Sequence, residues 1–365
     1  MTGSLAPIAE RAAAPGTLPA LHPALTWRPA TLDDVAAINE LSNAVAEHDR
    51  LPYRSTLDDT RESLTGPGIE LEHDTVLGFD SDGTLVADGQ VMRTPGDETS
   101  VRAFVFGTVR PERRREGIGT SLLAWQIARA RQRLATSGLD LPAVIRAYVD
   151  DQEPADKQRV LERAGMRVQR YFSDLKRPLG ALSIPEVALT GSLRLVPFSD
   201  DLDDAARLAH NDAFRDHWGS QPQTREQWHQ HRANFAPGWS FLVVDDEPDV
   251  AALLADQRTD APTRAALEAG EPLVVGYAMA SRYESDFAPR GYSFGYTDLL
   301  GARRAYRGRK AAMAALAASL RAFEADGMEA AVLDVDTENP SGAHGMYAAL
   351  GYEKEHGSRA FAIEL

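Results

Sequence analysis

Cysteine is absent from all 365 residues. That absence excludes disulfides, a thiol nucleophile, iron–sulfur clusters and every zinc site that needs a thiolate. A chain without disulfides suits a reducing compartment, so a cytoplasmic location is expected. Long apolar runs are missing too, and nothing approaches the roughly 18 apolar residues of a membrane span. The opening Met1-Thr2-Gly3-Ser4-Leu5-Ala6 has no basic region ahead of an apolar core, so no secretory leader is expected. Positive charge is in deficit: 39 Lys and Arg stand against 54 Asp and Glu, a net charge of −15. Such a surface repels phosphate backbones and anionic lipid. Neither nucleic acid nor a membrane is therefore an expected partner, and the short run Arg113-Arg114-Arg115 does not change that. The histidines are scattered. His229 and His231, two apart, point different ways on a helix, so no metal site is expected.

What is present is ordinary for a folded protein, 43% apolar and 25% charged residues. At roughly 150 residues per domain, the length implies two domains. Residues 1–24 carry Pro7, Pro15, Gly16, Pro19 and Pro23 with no apolar period and are expected to form a flexible N-terminal arm. Order is expected from the strand Leu25–Pro29, followed by the cap Thr31-Leu32-Asp33-Asp34 and a helix with Val35, Ile38, Leu41 and Val45 on one face. The same opening recurs. Leu193–Pro197 is a strand, Ser199-Asp200-Asp201 a cap, and Leu202, Ala206 and Leu208 a helix face. A period this long marks a duplicated domain, because solenoid repeats run to roughly 20–50 residues. The expected boundaries are 25–179 and 192–365, with Pro- and Gly-punctuated 180–191 as linker. In the second copy the polar, alanine-rich segment Glu247–Glu271 reads as an inserted loop or short helix.

The strongest local signal is Val109-Arg110-Pro111-Glu112-Arg113-Arg114-Arg115-Glu116-Gly117-Ile118-Gly119-Thr120. A strand precedes it, and Ile118, Leu122, Trp125 and Ala128 form a helix face after it. Strand, Arg- and Gly-containing turn and helix N-terminus together make an anion-binding device: unpaired amides and the positive helix end converge, and glycines let a phosphate come close. Neither GxxxxGK[ST] nor GxGxxG occurs, so P-loop and dinucleotide folds are not supported. A shift of 193 positions places Arg114 on Arg307, Gly117 on Lys310 and Gly119 on Ala312, within Ala302 to Ala312, where Gly308, Arg309 and Ala311 complete the second turn.

These motifs resemble the GNAT superfamily of acyl-CoA-dependent N-acetyltransferases, whose phosphate motif is [QR]xxGx[GA], in an arrangement of two tandem domains. The second copy departs from the motif, with Lys310 where the middle glycine should stand. The resemblance implies an α/β, layered α+β fold, each domain a mixed, mainly antiparallel sheet flanked by helices. Acetyl-CoA, a cosubstrate, would lie in a splay between two adjacent strands. Val109, Arg114, Arg115, Glu116, Gly117, Ile118, Gly119 and Thr120 would cradle its pyrophosphate. Ala302, Arg307, Gly308, Arg309, Lys310, Ala311 and Ala312 would do so in the second domain.

A second signature, Thr337-Glu338-Asn339-Pro340-Ser341-Gly342 followed by Met346-Tyr347 and Gly351-Tyr352, resembles the family's late motif. By that resemblance Asn339 contacts the cofactor arm and Tyr347 is the general acid for the departing thiolate. In the first domain Leu161 stands at the tyrosine's place. An attacking amine must lose a proton, and Asp298 and Glu284 are the two candidate bases. By the same resemblance Asp216, His217 and Trp218, near the first helix turns of the second domain, would lie where acceptors often enter. The expected activity is acetyl transfer from acetyl-CoA to a primary amine of a small molecule, by direct attack in a ternary complex. The second domain would perform the chemistry and the first would bind acyl-CoA, in a monomer or homodimer. The rivals place catalysis in the first domain, with Tyr148 or Tyr171, or read the chain as a non-catalytic acyl-CoA sensor.

Overall fold

A computed structural model of the chain describes residues 5–93, 95–230, 232–338 and 343–365. The chain divides into two compact units, Met1–Phe172 with His356–Leu365, and Ser173–Glu355. In chain order the strands are β1 (Thr26–Arg28), β2 (Thr75–Phe79), β3 (Leu85–Met92), β4 (Val101–Val109), β5 (Ala143–Asp150) and β6 (Arg167–Pro178). There follow β7 (Leu193–Pro197), β8 (Phe241–Asp245), β9 (Leu273–Ser281), β10 (Phe294–Ala302), β11 (Ala330–Asp336) and β12 (Glu353–Glu364).

The first unit's sheet runs β1-β2-β3-β4-β5-β12. Pairings are antiparallel from β1 to β4, parallel between β4 and β5, and antiparallel again between β5 and β12. Its last strand therefore comes from the end of the chain, with Ser358 opposite Asp150 and Glu364 opposite Val144. This differs from the single stretch 192–365 expected for a second domain. The reason is a sheet edge: β5 needs a partner for its outer N–H and C=O groups, and β12 supplies it while burying Phe361 in the first unit's core. Strand pairing between residues as far apart as Ser358 and Asp150 leaves no mark in local periodicity.

The N-terminal residues also differ from the loose arm expected of them. Ile8–Arg11 forms a helical turn, Ile8 and Ala12 are buried in the core, and Leu18 and Leu21 pack against it. The carbonyls of Ala12 and Pro15 accept from Arg131 (2.6 Å) and Gln132 (2.8 Å) of the helix Ile118–Ala135. Backbone satisfaction by that helix holds a proline-rich segment that has no period of its own. The same helix lies on β3 and β4, and two glycines admit it. A Cβ at Gly89 would meet Leu122 at 2.5 Å, and one at Gly107 would meet Gln126 at 3.2 Å.

The second unit repeats the plan, β6-β11-β10-β9-β8-β7, with β10 and β11 the parallel pair. Residues 180–191 are packed onto it, Ile184, Val187 and Leu189 lying against its cores. The inserted segment forms two short helices, Val250–Ala255 and Ala261–Glu268, capped by Asp249 and Asp260. The helix Ala311–Ala325 approaches β9 so closely that a Cβ at Gly276 would sit 2.6 Å from that of Ala311. Among the described residues no helix is long and apolar enough to cross a membrane.

Candidate active site

The two phosphate-loop candidates share one backbone. Arg115 (φ 66°) and Gly117 (φ 94°) are left-handed in the first loop, and Gly308 (φ 81°) and Lys310 (φ 62°) occupy the same two places in the second. Glycine and cation have exchanged positions while the conformation has stayed. Lys310, the residue that departs from the motif, thus adopts the turn that glycine adopts in the first unit, and it caps the helix Ala311–Ala325 as Gly117 caps Ile118–Ala135. Among the described residues, no hydrogen bond engages the N–H groups of Arg115, Glu116, Gly117, Ile118 and Gly119, nor those of Gly308, Lys310, Ala311 and Ala312. Successive free amides around left-handed residues at a helix N-terminus form a concave donor nest suited to a phosphate.

The side chains take other roles. Arg114 is held bidentately by Asp49 (2.7 Å to each oxygen), and its Nε donates to the Val109 carbonyl. Burial works to raise the Asp49 carboxyl, but hydrogen bonds from Arg114 and His48 outweigh it and hold the group below the usual range. Arg115 pairs with Asp156 (2.9 Å) and Glu116 with Arg113 (2.9 Å). Ile118 is buried with Leu25 and Val86, so only its backbone faces the loop, while Gly119 and Thr120 line open space. In the second loop Arg307 donates to the Ala213 carbonyl (2.9 Å), and Arg309 lies 4.8 Å from the Tyr306 ring centroid.

Beside each loop the sheet opens. The parallel ladder of β4 and β5 pairs Val101–Phe104 with Ala143–Arg146 and then stops, although both strands continue. That of β10 and β11 pairs Phe294–Thr297 with Ala330–Leu333 and stops at the equivalent residue. Each unpaired stretch exposes backbone donors and acceptors along a slot that leads to the loop.

In the first unit the slot opens into a cavity of about 830 Å³, lined at one end by Arg114, Gly117, Gly119 and Thr120 and further in by Tyr148, Thr108 and Asp88. Tyr148 is exposed there. The carboxylate of Asp88, on β3 opposite Thr108, makes no hydrogen bond or ion pair among the described residues, and burial raises it to about 7. The second unit carries Tyr277 at that place, opposite Gly301. The Tyr277 hydroxyl would touch a Cβ at Gly301 at 2.4 Å and hydrogen-bonds His210 Nδ1 at 3.0 Å. His210 packs on Phe214 and Trp228, and burial, with His217 adding, lowers it to about 4, so it is neutral at pH 7. One copy keeps a chamber where the other has a packed aromatic cluster.

At the second slot Asp298 sits on β10 just past the last paired residue, where β10 bulges against β9. It accepts a hydrogen bond from the Tyr283 hydroxyl at 2.8 Å. Asp298 is solvent-exposed, and desolvation by the surrounding protein atoms raises its carboxyl to about 6, against the opposing hydrogen bonds of Ser281 and Tyr283. Glu284, next to Tyr283, is exposed and turned to Arg282 at 2.7 Å. Tyr347 lies on the helix Ala343–Ala349 against Tyr352, and its ring packs in the second unit's core. Burial, with Asp334 adding, raises its hydroxyl to about 12, and that hydroxyl takes no hydrogen bond among the described residues. Asn339 lies outside the described residues. Among the described residues no group of three or more metal-binding side chains gathers.

Sequence reasoning missed Asp88 and the Tyr277–His210 pair. The signal for Asp88 was present: a carboxylate in the middle of the apolar strand Leu85–Met92. The Tyr277–His210 pair joins residues 67 apart and had no local signal.

Comparison with known proteins agrees with this architecture. Residues 209–352 match the acetyltransferase (GNAT) family. A mycothiol acetyltransferase of Nocardia farcinica is 25% identical over 286 residues, covering 77% of this chain and 80% of that protein. A GCN5-related N-acetyltransferase from Sphaerobacter thermophilus superposes with a TM-score of 0.64 at 21% identity, over 94% of this chain and 97% of that one. A tandem GNAT protein from the clavulanic acid biosynthesis pathway gives 0.62 at 16% identity, over 93% and 98%. Twin slots and twin donor nests agree with these likenesses: residues 209–352 carry the domain of the acetyltransferase (GNAT) family, and the chain has the fold of a tandem GNAT protein.

Proposed function

We propose that the protein transfers an acetyl group from acetyl-CoA to the primary amine of a small molecule, by direct attack within a ternary complex and with the chemistry in the second unit. The observation that carries the reading is the pair of parallel ladders that each stop after four residues beside a nest of free amides. In each unit the nest, residues 115–119 in the first and Gly308 with 310–312 in the second, would receive the pyrophosphate of acetyl-CoA through backbone donors. The slot's unpaired strand groups would receive the amide-bearing arm. The first unit thereby serves as an acyl-CoA-binding partner to the catalytic second.

In the second unit Asp298, held by Tyr283, takes the proton that the attacking amine must lose; a carboxyl near pKa 6 is ionised at pH 7 and a far better base than an ordinary aspartate. A C–N bond forms, the C–S bond breaks, and Tyr347 gives its proton to the departing thiolate. Glu284, exposed and ion-paired, is the weaker candidate base. The likeness to a mycothiol acetyltransferase supports a low-molecular-weight acceptor. The test is thiol release from acetyl-CoA by the purified full chain across a panel of primary amines, with mass-spectrometric identification of the N-acetyl product. Saturable acetyl-CoA binding with no amine-dependent release would replace this reading with that of an acyl-CoA sensor.

A further inference from the structure

The first unit's cavity has two chemically different ends. Around the phosphate nest stand Arg115, Lys157, Arg159 and Arg163. On the side of the helices Val35–His48 and Leu57–Thr65 the lining holds no cation and mixes apolar side chains with Ser42, Ser55, Thr60 and Ser63, the Asp59 carboxylate, and Thr75 and Gln90 on the sheet. Two of the carboxylates lining the cavity are satisfied within the fold, Asp49 by Arg114 and Asp59 by the Thr56 cap. Asp88 is not. It faces the chamber with neither cation nor hydrogen-bond donor among the described residues.

A recessed carboxylate with no partner in the fold either takes up a proton near neutral pH or is paired by a cation from outside, and a chamber open to small molecules allows the second. The second copy shows that this position can be filled without that cost, since Tyr277 closes it with a hydrogen bond to His210. The first copy instead keeps both the carboxyl and the space around it, in a chamber shared with the loop residues Gly117, Gly119 and Thr120. We propose that the first unit holds a second amine-binding site, in which the Asp88 carboxylate pairs with the ammonium of a small polar amine among the hydroxyls of Ser42, Ser55 and Thr60. The inference rests on the acetyl-transfer reading for the ligand's class, an amine, and extends it from one unit to both. No bond is made or broken in the site as proposed; it is a binding site.

The test uses the full chain and three probes, glucosamine, 1,4-diaminobutane and tyramine, each against its uncharged hydroxyl analogue, by calorimetric titration. At least one amine is expected to bind at least tenfold more tightly than its analogue. Asp88→Asn, which keeps the shape and removes the charge, is expected to weaken that binding at least tenfold with the melting temperature held or raised. Ser42→Trp, filling the chamber from the helix side, is expected to abolish the same binding, while Tyr347→Phe leaves it intact. Affinity unchanged in Asp88→Asn, or no probe preferring its amine form, overturns the proposal. The two readings fail separately: Asp88-dependent binding without thiol release removes the acetyl-transfer reading, and thiol release with Asp88-independent binding removes this one.

Discussion

Lys310→Gly separates what a residue does to the backbone from what it does to a ligand. Lys310 stands at φ 62°, where an L-residue is disfavoured by about 1–2 kcal/mol because its Cβ crowds the following carbonyl. Glycine relieves that strain, but its freer unfolded chain returns about 0.4–1 kcal/mol. The net expectation is a gain of about 0.5–1 kcal/mol. For a unit of this size, that is a rise of roughly 1–4 °C in the melting temperature. Gly117 already holds the same turn in the first unit, so the amide nest should survive unaltered. Only the ammonium is lost. An exposed cation beside a phosphate contributes about 0.5–1 kcal/mol, so CoA should bind the second loop roughly two- to fivefold more weakly. The loss should shrink as salt rises from roughly 0.01 M to 0.15 M and the Debye length falls from roughly 30 to 8 Å. The assay is calorimetric titration of CoA at both salts, in a chain whose first loop is disabled by Gly117→Glu, with a melting curve for each variant. Higher stability with weaker, salt-dependent CoA binding supports the reasoning. Tighter CoA binding would show that Lys310 obstructs the cradle, and unchanged stability would refute the strain argument.

Tyr347→Phe keeps the ring's packing and removes the hydroxyl, so steady-state thiol release should fall by about 10²–10⁴ with little change in CoA affinity or melting temperature. Asp298 must be ionised to accept a proton, so kcat/KM should rise with pH through about 6, and Asp298→Asn should remove that limb from the pH–rate profile. Arg114→Ala strips the bidentate partner from the nearly buried Asp49 and should lower stability by about 1–3 kcal/mol at pH 7. Because that partner holds Asp49 below its ordinary value of 3.8, the penalty should be full above pH 4 and fade as the pH falls further, which denaturant unfolding across pH reads directly. Ile8→Ala removes a fully buried side chain from the N-terminal segment and should lower the first unit's stability by about 2–4 kcal/mol, with faster proteolysis before residue 25.

Local chemistry was legible from the residues alone. The duplication, the two strand-turn-helix loops and the absence of cysteine chemistry follow from spacing and composition, because turns, caps and helix faces are decided within a few residues, whereas the part given to Tyr347 came from the family resemblance. A glycine-containing turn was readable at Gly117, and the shift of 193 carried it to Lys310, while the left-handed conformation of both residues is visible only in the backbone. Three things were decided by tertiary structure. β12 joins the first unit because β5 needs an edge partner, and pairing partners are chosen across the whole chain. Pro7–Pro23 is held because the helix Ile118–Ala135 offers donors to its carbonyls and a groove for Ile8, neither of which a residue pattern reveals. The contrast between Asp88 in an open chamber and Tyr277 sealed by His210 depends on which side chains a fold brings face to face, and two aligned strands of similar apolar pattern end with opposite interiors for that reason.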